Sequence, residues 1–244
     1  MQPSSLQQES FNRLEMVRKG AAAGFPIMIG YIPVALTYGV LASQSGLTLV
    51  ELTLMSVLVF AGAAQFLAVS MVAVGTGAIE IIIATFVLNF RHFVMSLSFM
   101  NRLRQIAIRA RIPLSFGLTD ETFTMSSLHN SEAKQKFGAY FYASLMLTAY
   151  ISWVGGSFIG GFLGDIIPPR LSESMGIALY AMFIGLLVPS IRKYNRIIWI
   201  ALTAMMINYL CQLIGMSQGW SIVAGTLLGG LCGIWIIEDE EEDR

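Results

Sequence analysis

The feature that most constrains this chain is a succession of apolar runs, each near the roughly 20 residues that carry a helix across a hydrocarbon core. Read against turn and charge signals, they place spans near residues 22–43, 52–74, 78–100, 137–162, 174–191, 196–215 and 219–237. Only 12% of the 244 residues are charged, about half the share of an ordinary soluble domain. No sizeable soluble domain fits between the runs. The fold class is therefore all-α, a polytopic transmembrane helical bundle of seven or eight spans. A polar or interfacial segment (residues 1–20) precedes a single transmembrane domain (21–237), and an acidic tail (238–244) follows it.

The first apolar region begins too late for a cleaved signal, so the first span should be retained. Phe11, Leu14 and Val17 recur at helical spacing beside Arg13, Arg18 and Lys19, the pattern of a short interfacial helix or of a disordered tail. Between the third and fourth runs lies IPLSFGLTDETFTMSSL, residues 112–128, too polar to face lipid and too apolar for an ordinary loop. It reads as a short or partial span enclosed by protein, the one setting in which irregular backbone is tolerated at membrane depth.

Sidedness does not follow from counting basic residues, which concentrate on the cytoplasmic side. Eight spans with the N-terminus inside leave Arg102, Arg104, Arg109 and Arg111 outside; seven spans with the N-terminus outside expel Arg13, Arg18 and Lys19 instead. Eight spans suit an inverted repeat of two halves, a common transporter plan. Each half opens on an interrupted segment. In the first, Pro26, Gly30 and Pro33 should break the helix in mid-membrane, unless the segment is only a kinked packing helix; in the second, the interruption is residues 113–128.

Intramembrane polar residues then mark candidate solute and proton sites. Thr85, Asn89, His92 and Ser96 align on one face of the third span, and Arg91 stands about 100° round from His92. An arginine at mid-span costs about 2.5–3.5 kcal/mol or more unless paired or hydrated. Asp120 and Glu121 are the candidate partners, and being adjacent they must point in different directions, one free to take a proton while the other stays ionised. Either these charges form a solute or proton path, or they are an ion pair fixing helix register and a pair of carboxylates at a helix start. His92, Asp120 and Glu121 are the candidate proton carriers; Gln65, Asn89, Arg91, His92, Asp120 and Glu121 are the candidate solute contacts. Asn208 and Gln212 share a face suited to hydrogen bonding between helices. Glycines at four-residue spacing, 156/160/164 and 225/229/233, form small-residue ridges for close packing.

Other classes lack support. The formal net charge is zero, which leaves nucleic acid no electrostatic footprint. There is no metal-ligand cluster, P-loop or cofactor motif, and no HExxH zinc site or nucleophile with an evident base. Cys211 and Cys232 fall within spans and read as core side chains, not a disulfide.

Three blocks carry a family resemblance: GFPIMIGYIPVALTYGVLA near the start, FAGAAQF at 60–66, and NFRHFVMS (89–96) followed by FGLTDETF (116–123). In these the chain resembles the AzlC family, large subunits of branched-chain amino-acid exporters. The resemblance implies a multi-pass protein of the bacterial cell (inner) membrane, exporting valine, leucine and isoleucine, with methionine a further candidate. It also implies a small AzlD-like membrane subunit as partner and no cofactor. Combined with the residues above, the expected mechanism is proton-coupled. Arg91 or His92 would hold the solute carboxylate and Asp120 or Glu121 its ammonium, with an apolar cup from Phe60, Phe66, Phe90 and Phe123. A passive channel, a transporter of another small solute, and a non-conducting scaffold subunit are the alternatives.

Overall fold

A computed structural model describes residues 12–164, 166–168, 174 and 177–238. The helices are α1 (Arg13–Gln44), α2 (Leu49–Val59), α3 (Gly62–Ala73), α4 (Ala78–Arg102), α5 (Ile108–Ser115), α6 (Asp120–Leu128), α7 (Gly138–Leu163), α8 (Ile177–Lys193), α9 (Ile197–Leu213) and α10 (Gln218–Glu238). Among the described residues there is no strand. Of these helices, α1, α4 and α7 combine the length and apolarity needed to cross a membrane, and α2, α3, α9 and α10 are shorter apolar helices. The all-α membrane bundle expected from the apolar runs is what forms.

Helix starts follow local chemistry. Asn12 accepts from the Glu15 amide at 2.9 Å while Glu15 accepts from the Asn12 amide at 2.7 Å, so α1 begins well before the first apolar run. Phe11 and the tail beyond residue 238 lie outside the described residues. Thr48 and Glu51 cap α2 in the same reciprocal way, satisfying orphan amide donors of the first turn. These bonds from Thr48 hold the Glu51 carboxyl below its ordinary pKa.

Two compact units are described in turn: Met1–Pro33 with Arg91–Gly156, and Val34–Phe90 with Ser157–Arg244. In the first, α1 and α7 run parallel. A Cβ on Gly20 would strike the Phe141 carbonyl and Ser144, and one on Gly24 would press on Leu145 and Thr148. The short helices α5 and α6 form a hairpin. Near its start, Arg111 donates to the Met100 carbonyl at 2.9 Å; just past its end, the His129 carbonyl accepts from the Tyr142 hydroxyl at 2.8 Å. Tyr142 in turn stacks edge-on against Phe99 at 6.0 Å. Both feet of the hairpin thus stand by the end of α4 and the start of α7. Its tip reaches back to Arg91, nine residues or about 13 Å up α4, where Asp120 lies 2.8 Å from the guanidinium.

In the second unit, Gly160 lies against the Leu36 backbone, Gly39 against Ser157 and Gly161, and Gly164 against Ser43, again a parallel α1–α7 contact made through small residues. The expected ridge 225/229/233 also forms: Gly225 and Gly229 pack on Ala204 and Gly233 on Ile200, an antiparallel α9–α10 pair. Among the described residues Asn208 and Gln212 bond to each other rather than across helices, the Gln212 amide donating to Asn208 Oδ1 within α9 at 2.7 Å. Cys211 and Cys232 are free thiols.

One interruption falls elsewhere than expected. At Pro26, Gly30 and Pro33, where a break was anticipated, α1 continues as one 32-residue helix. All three residues lie on its exposed face. The break comes instead inside the second apolar run, which folds as α2 and α3 rather than as one span. Phe60 takes the left-handed conformation, φ 43° and ψ 47°, a strained choice for a non-glycine residue, and Ala61 follows without a side-chain cap. In a straight helix Ser56 and Gln65 would be about 13 Å apart along the axis, yet Gln65 Nε2 donates to Ser56 Oγ at 2.9 Å. Leu52 and Phe66 likewise both meet Tyr38, through its hydroxyl at 3.2 Å and its ring at 5.8 Å. The chain therefore doubles back at Phe60–Ala61, and α2–α3 is a second hairpin.

Candidate functional site

The site of the first unit is built on the first turn of α6. Thr119 caps that helix, its hydroxyl accepting from the Thr122 amide at 3.2 Å while its own amide donates to Thr122 Oγ1 at 2.7 Å. Thr122 Oγ1 donates to the Gly117 carbonyl at 2.9 Å, which ties the cap to the turn before it. Gly117 lies so close to Met146 that a Cβ there would sit 2.8 Å from the Met146 side chain. This rigid cap fixes the directions of the next two residues. Asp120 projects to Arg91 on α4, at 2.8 Å; Glu121 projects to α1, where Tyr31 donates to its Oε2 at 2.6 Å. The same hydroxyl lies 2.6 Å from Thr119 Oγ1.

Two acids on adjacent residues are thus held by two different helices, as their divergence of about 100° requires. The Arg91 and Asp120 side chains are 35% and 28% exposed. A charged pair that keeps about a third of its surface open must meet water or polar groups there rather than hydrocarbon. The buried Nε of Arg91 has no hydrogen-bond partner among the described residues, and neither does the buried Oγ of Ser126, further along α6. The site therefore keeps donors in reserve.

Tyr31 is the participant that residue patterns did not single out. It is 6% exposed and stacks edge-on against Trp153 at 5.3 Å. A phenol buried at mid-span needs a partner for its hydroxyl, and that requirement was the available signal. On α4, Thr85, Asn89, His92 and Ser96 are all half-buried, while Phe86, Phe90, Phe93 and Leu97 on the neighbouring face are exposed. Thr85 turns back on its own helix, donating to the Ile81 carbonyl at 2.7 Å.

Gln65 belongs to the second unit. It is 0% exposed, as are Ser56 and Ser157, and the three form a chain in which Ser56 donates to Ser157 at 2.8 Å. There the amide ties the two legs of the α2–α3 hairpin to α7. Of the anticipated aromatic cup, Phe60 and Phe66 are core residues of that unit and Phe90 is 54% exposed. Phe123 lies under the Arg102 guanidinium, 5.3 Å from its ring centre.

A helical membrane protein with two hairpins of short helices, one carrying a charged cluster at its tip, has the construction of a solute transporter, in which discontinuous helices mark the binding region. The family model described as "AzlC protein" matches residues 26–167, and the chain belongs to that family. An uncharacterised membrane protein of Archaeoglobus fulgidus is 32% identical over 228 residues, covering 93% of this chain and 98% of that one. Inner membrane protein YgaZ of Escherichia coli is 27% identical, over 88% of this chain and 89% of its own. Branched-chain amino acid transport protein AzlC of Bacillus subtilis is 24% identical, over 70% of this chain and 66% of its own. No solved structure matches.

Proposed function

We propose that this chain is the large subunit of a two-component exporter of branched-chain amino acids in a bacterial inner membrane, coupled to inward proton flow and partnered by a small AzlD-like subunit. The observation that carries this reading is the Arg91–Asp120 ion pair, 2.8 Å apart and partly open to water, at the start of α6. A zwitterionic amino acid is the solute such a pair accepts with least electrostatic cost. Its carboxylate takes the place of Asp120 on Arg91 and its ammonium takes the place of Arg91 on Asp120, so one ion pair becomes two without a change in net charge. The spare Arg91 Nε offers a further donor to the incoming carboxylate. The naming of the Bacillus relative for branched-chain amino acid transport supports the choice of solute.

Glu121 is the acid left for coupling. Tyr31 donates to its carboxylate; a proton on Glu121 removes the charge from that acceptor and weakens the link between α1 and α6. His92, half-buried one residue after Arg91, is the second carrier. One charge moved through 100 mV supplies about 2.3 kcal/mol, enough for a roughly fiftyfold solute gradient.

The test is valine efflux from cells or proteoliposomes containing this chain and its small partner under an imposed pH gradient. Asp120→Asn should abolish gradient-driven export while the protein still assembles. Undiminished efflux in that variant would remove Asp120 from the mechanism.

A further inference from the structure

We propose that this protein crosses the membrane six times and dips into it twice: the N-terminus is cytoplasmic, the α5–α6 hairpin enters from the cytoplasmic side, and the α2–α3 hairpin enters from the opposite side. The inference does not depend on which solute is carried.

Length comes first. The legs of α2–α3 have 11 and 12 residues and those of α5–α6 have 8 and 9, or about 12–18 Å each at 1.5 Å per residue. A hydrocarbon core is about 30 Å thick, so each leg reaches only part-way and each hairpin returns to the side it left. Mid-depth turns demand cover by protein, and both tips have it: Phe60 and Ala61 are 5% and 4% exposed, Leu118 and Thr119 3% and 7%.

The path follows. α1 crosses; α2–α3 dips and returns; α4 crosses back; α5–α6 dips and returns; α7, α8, α9 and α10 each cross. Contacts agree with it at both ends. Arg13 at the start of α1 lies over Phe137 and Tyr140 at the start of α7, and the feet of α5–α6 stand beside the same helix start. In the second unit, Glu80 on the first turn of α4 accepts from the amides of Gly219 and Trp220 on the first turn of α10, at 2.8 and 3.2 Å.

Charge then picks the side. On this path every described lysine and arginine except Arg91 falls on the side of the N-terminus, whereas treating all apolar runs as full crossings strands three or four of them on the wrong side. Basic residues near span ends mark the cytoplasm. The hairpin bearing Asp120 and Glu121 is therefore the part of the solute path hung from the cytoplasmic face.

Single cysteines test the path, introduced after Cys211→Ala and Cys232→Ala and probed on intact cells with a membrane-impermeant maleimide. Ser45→Cys is nearly isosteric, Gly77→Cys has open space around its new side chain, and Gln105→Cys is on an exposed turn. Labelling is expected at positions 45 and 77, and at 105 only after permeabilisation, with a contrast of about tenfold or more. Eight full crossings would instead label 45 and 105 and leave 77 silent; seven with an external N-terminus would label 77 and leave 45 silent. Either pattern overturns the proposal. Thr76→Cys and Arg104→Cys are second reporters should a first-choice variant fail to reach the membrane.

Discussion

Neutralising the two charges of the ion pair, singly and together, separates transport from architecture. At the observed 2.8 Å, Coulomb attraction amounts to about 6 kcal/mol at an effective dielectric of 20 and about 1.5 kcal/mol in water. With about a third of each side chain exposed, the net coupling between Arg91 and Asp120 should be near the lower bound, about 2 kcal/mol. Arg91→Gln and Asp120→Asn should each lower thermal stability by leaving the other charge unpaired. The double variant should lose less than the sum of the two by that coupling energy. Thermal unfolding of the purified protein measures the cycle, and valine counterflow in proteoliposomes measures function. All three variants should fail to transport, because neither amide holds a charged solute group. If the double variant regains both stability and counterflow, the pair is only a register device and the proposed solute contact is wrong.

Three further outcomes are expected. Tyr31→Phe keeps the edge contact with Trp153 but removes a bond to a carboxylate, worth about 1.5–3 kcal/mol; counterflow should slow by about tenfold or more with the fold intact, and an unchanged rate would free Glu121 from that control. Gly39→Leu drives a side chain into the Ser157 carbonyl and Gly161, and the protein should lose its monodisperse peak in detergent, whereas Gly30→Leu, with no neighbour within 4 Å, should keep it. Glu80→Ala removes the acceptor shared by the Ser217 hydroxyl and the Gly219 and Trp220 amides; hydrogen exchange should accelerate at those two amides, at a cost of about 1–2 kcal/mol by analogy with a lost helix cap.

Much of the bundle was legible in the chain because lipid leaves few alternatives: apolar runs of spanning length became helices, and glycine ridges became helix contacts. The Arg91–Asp120 contact was legible for a similar reason, since few mid-membrane charges were available to satisfy an arginine. The α2–α3 hairpin was not. Prolines are the usual sign of a broken helix, but Pro26 and Pro33 sit on the exposed face of α1, where the helix absorbs the missing donors. The reversal at Phe60–Ala61 has no such sign. It uses a left-handed phenylalanine, unfavourable locally and held by burial of the ring and by the Gln65–Ser56–Ser157 chain. Those tertiary contacts cannot be read from a run of small residues. Reading that one turn as a straight helix is also what sets the basic residues in conflict, a conflict that the proposed path removes.

On the proposed function, the charged cluster at the start of α6 holds an amino acid. The most direct measurement is equilibrium binding of labelled leucine to the purified protein with its small partner, comparing the unaltered chain with Arg91→Gln and with Asn208→Ala as a control outside the cluster. Affinity should fall by about tenfold or more in Arg91→Gln and stay unchanged in the control. Equal leucine affinity in all three would contradict that reading.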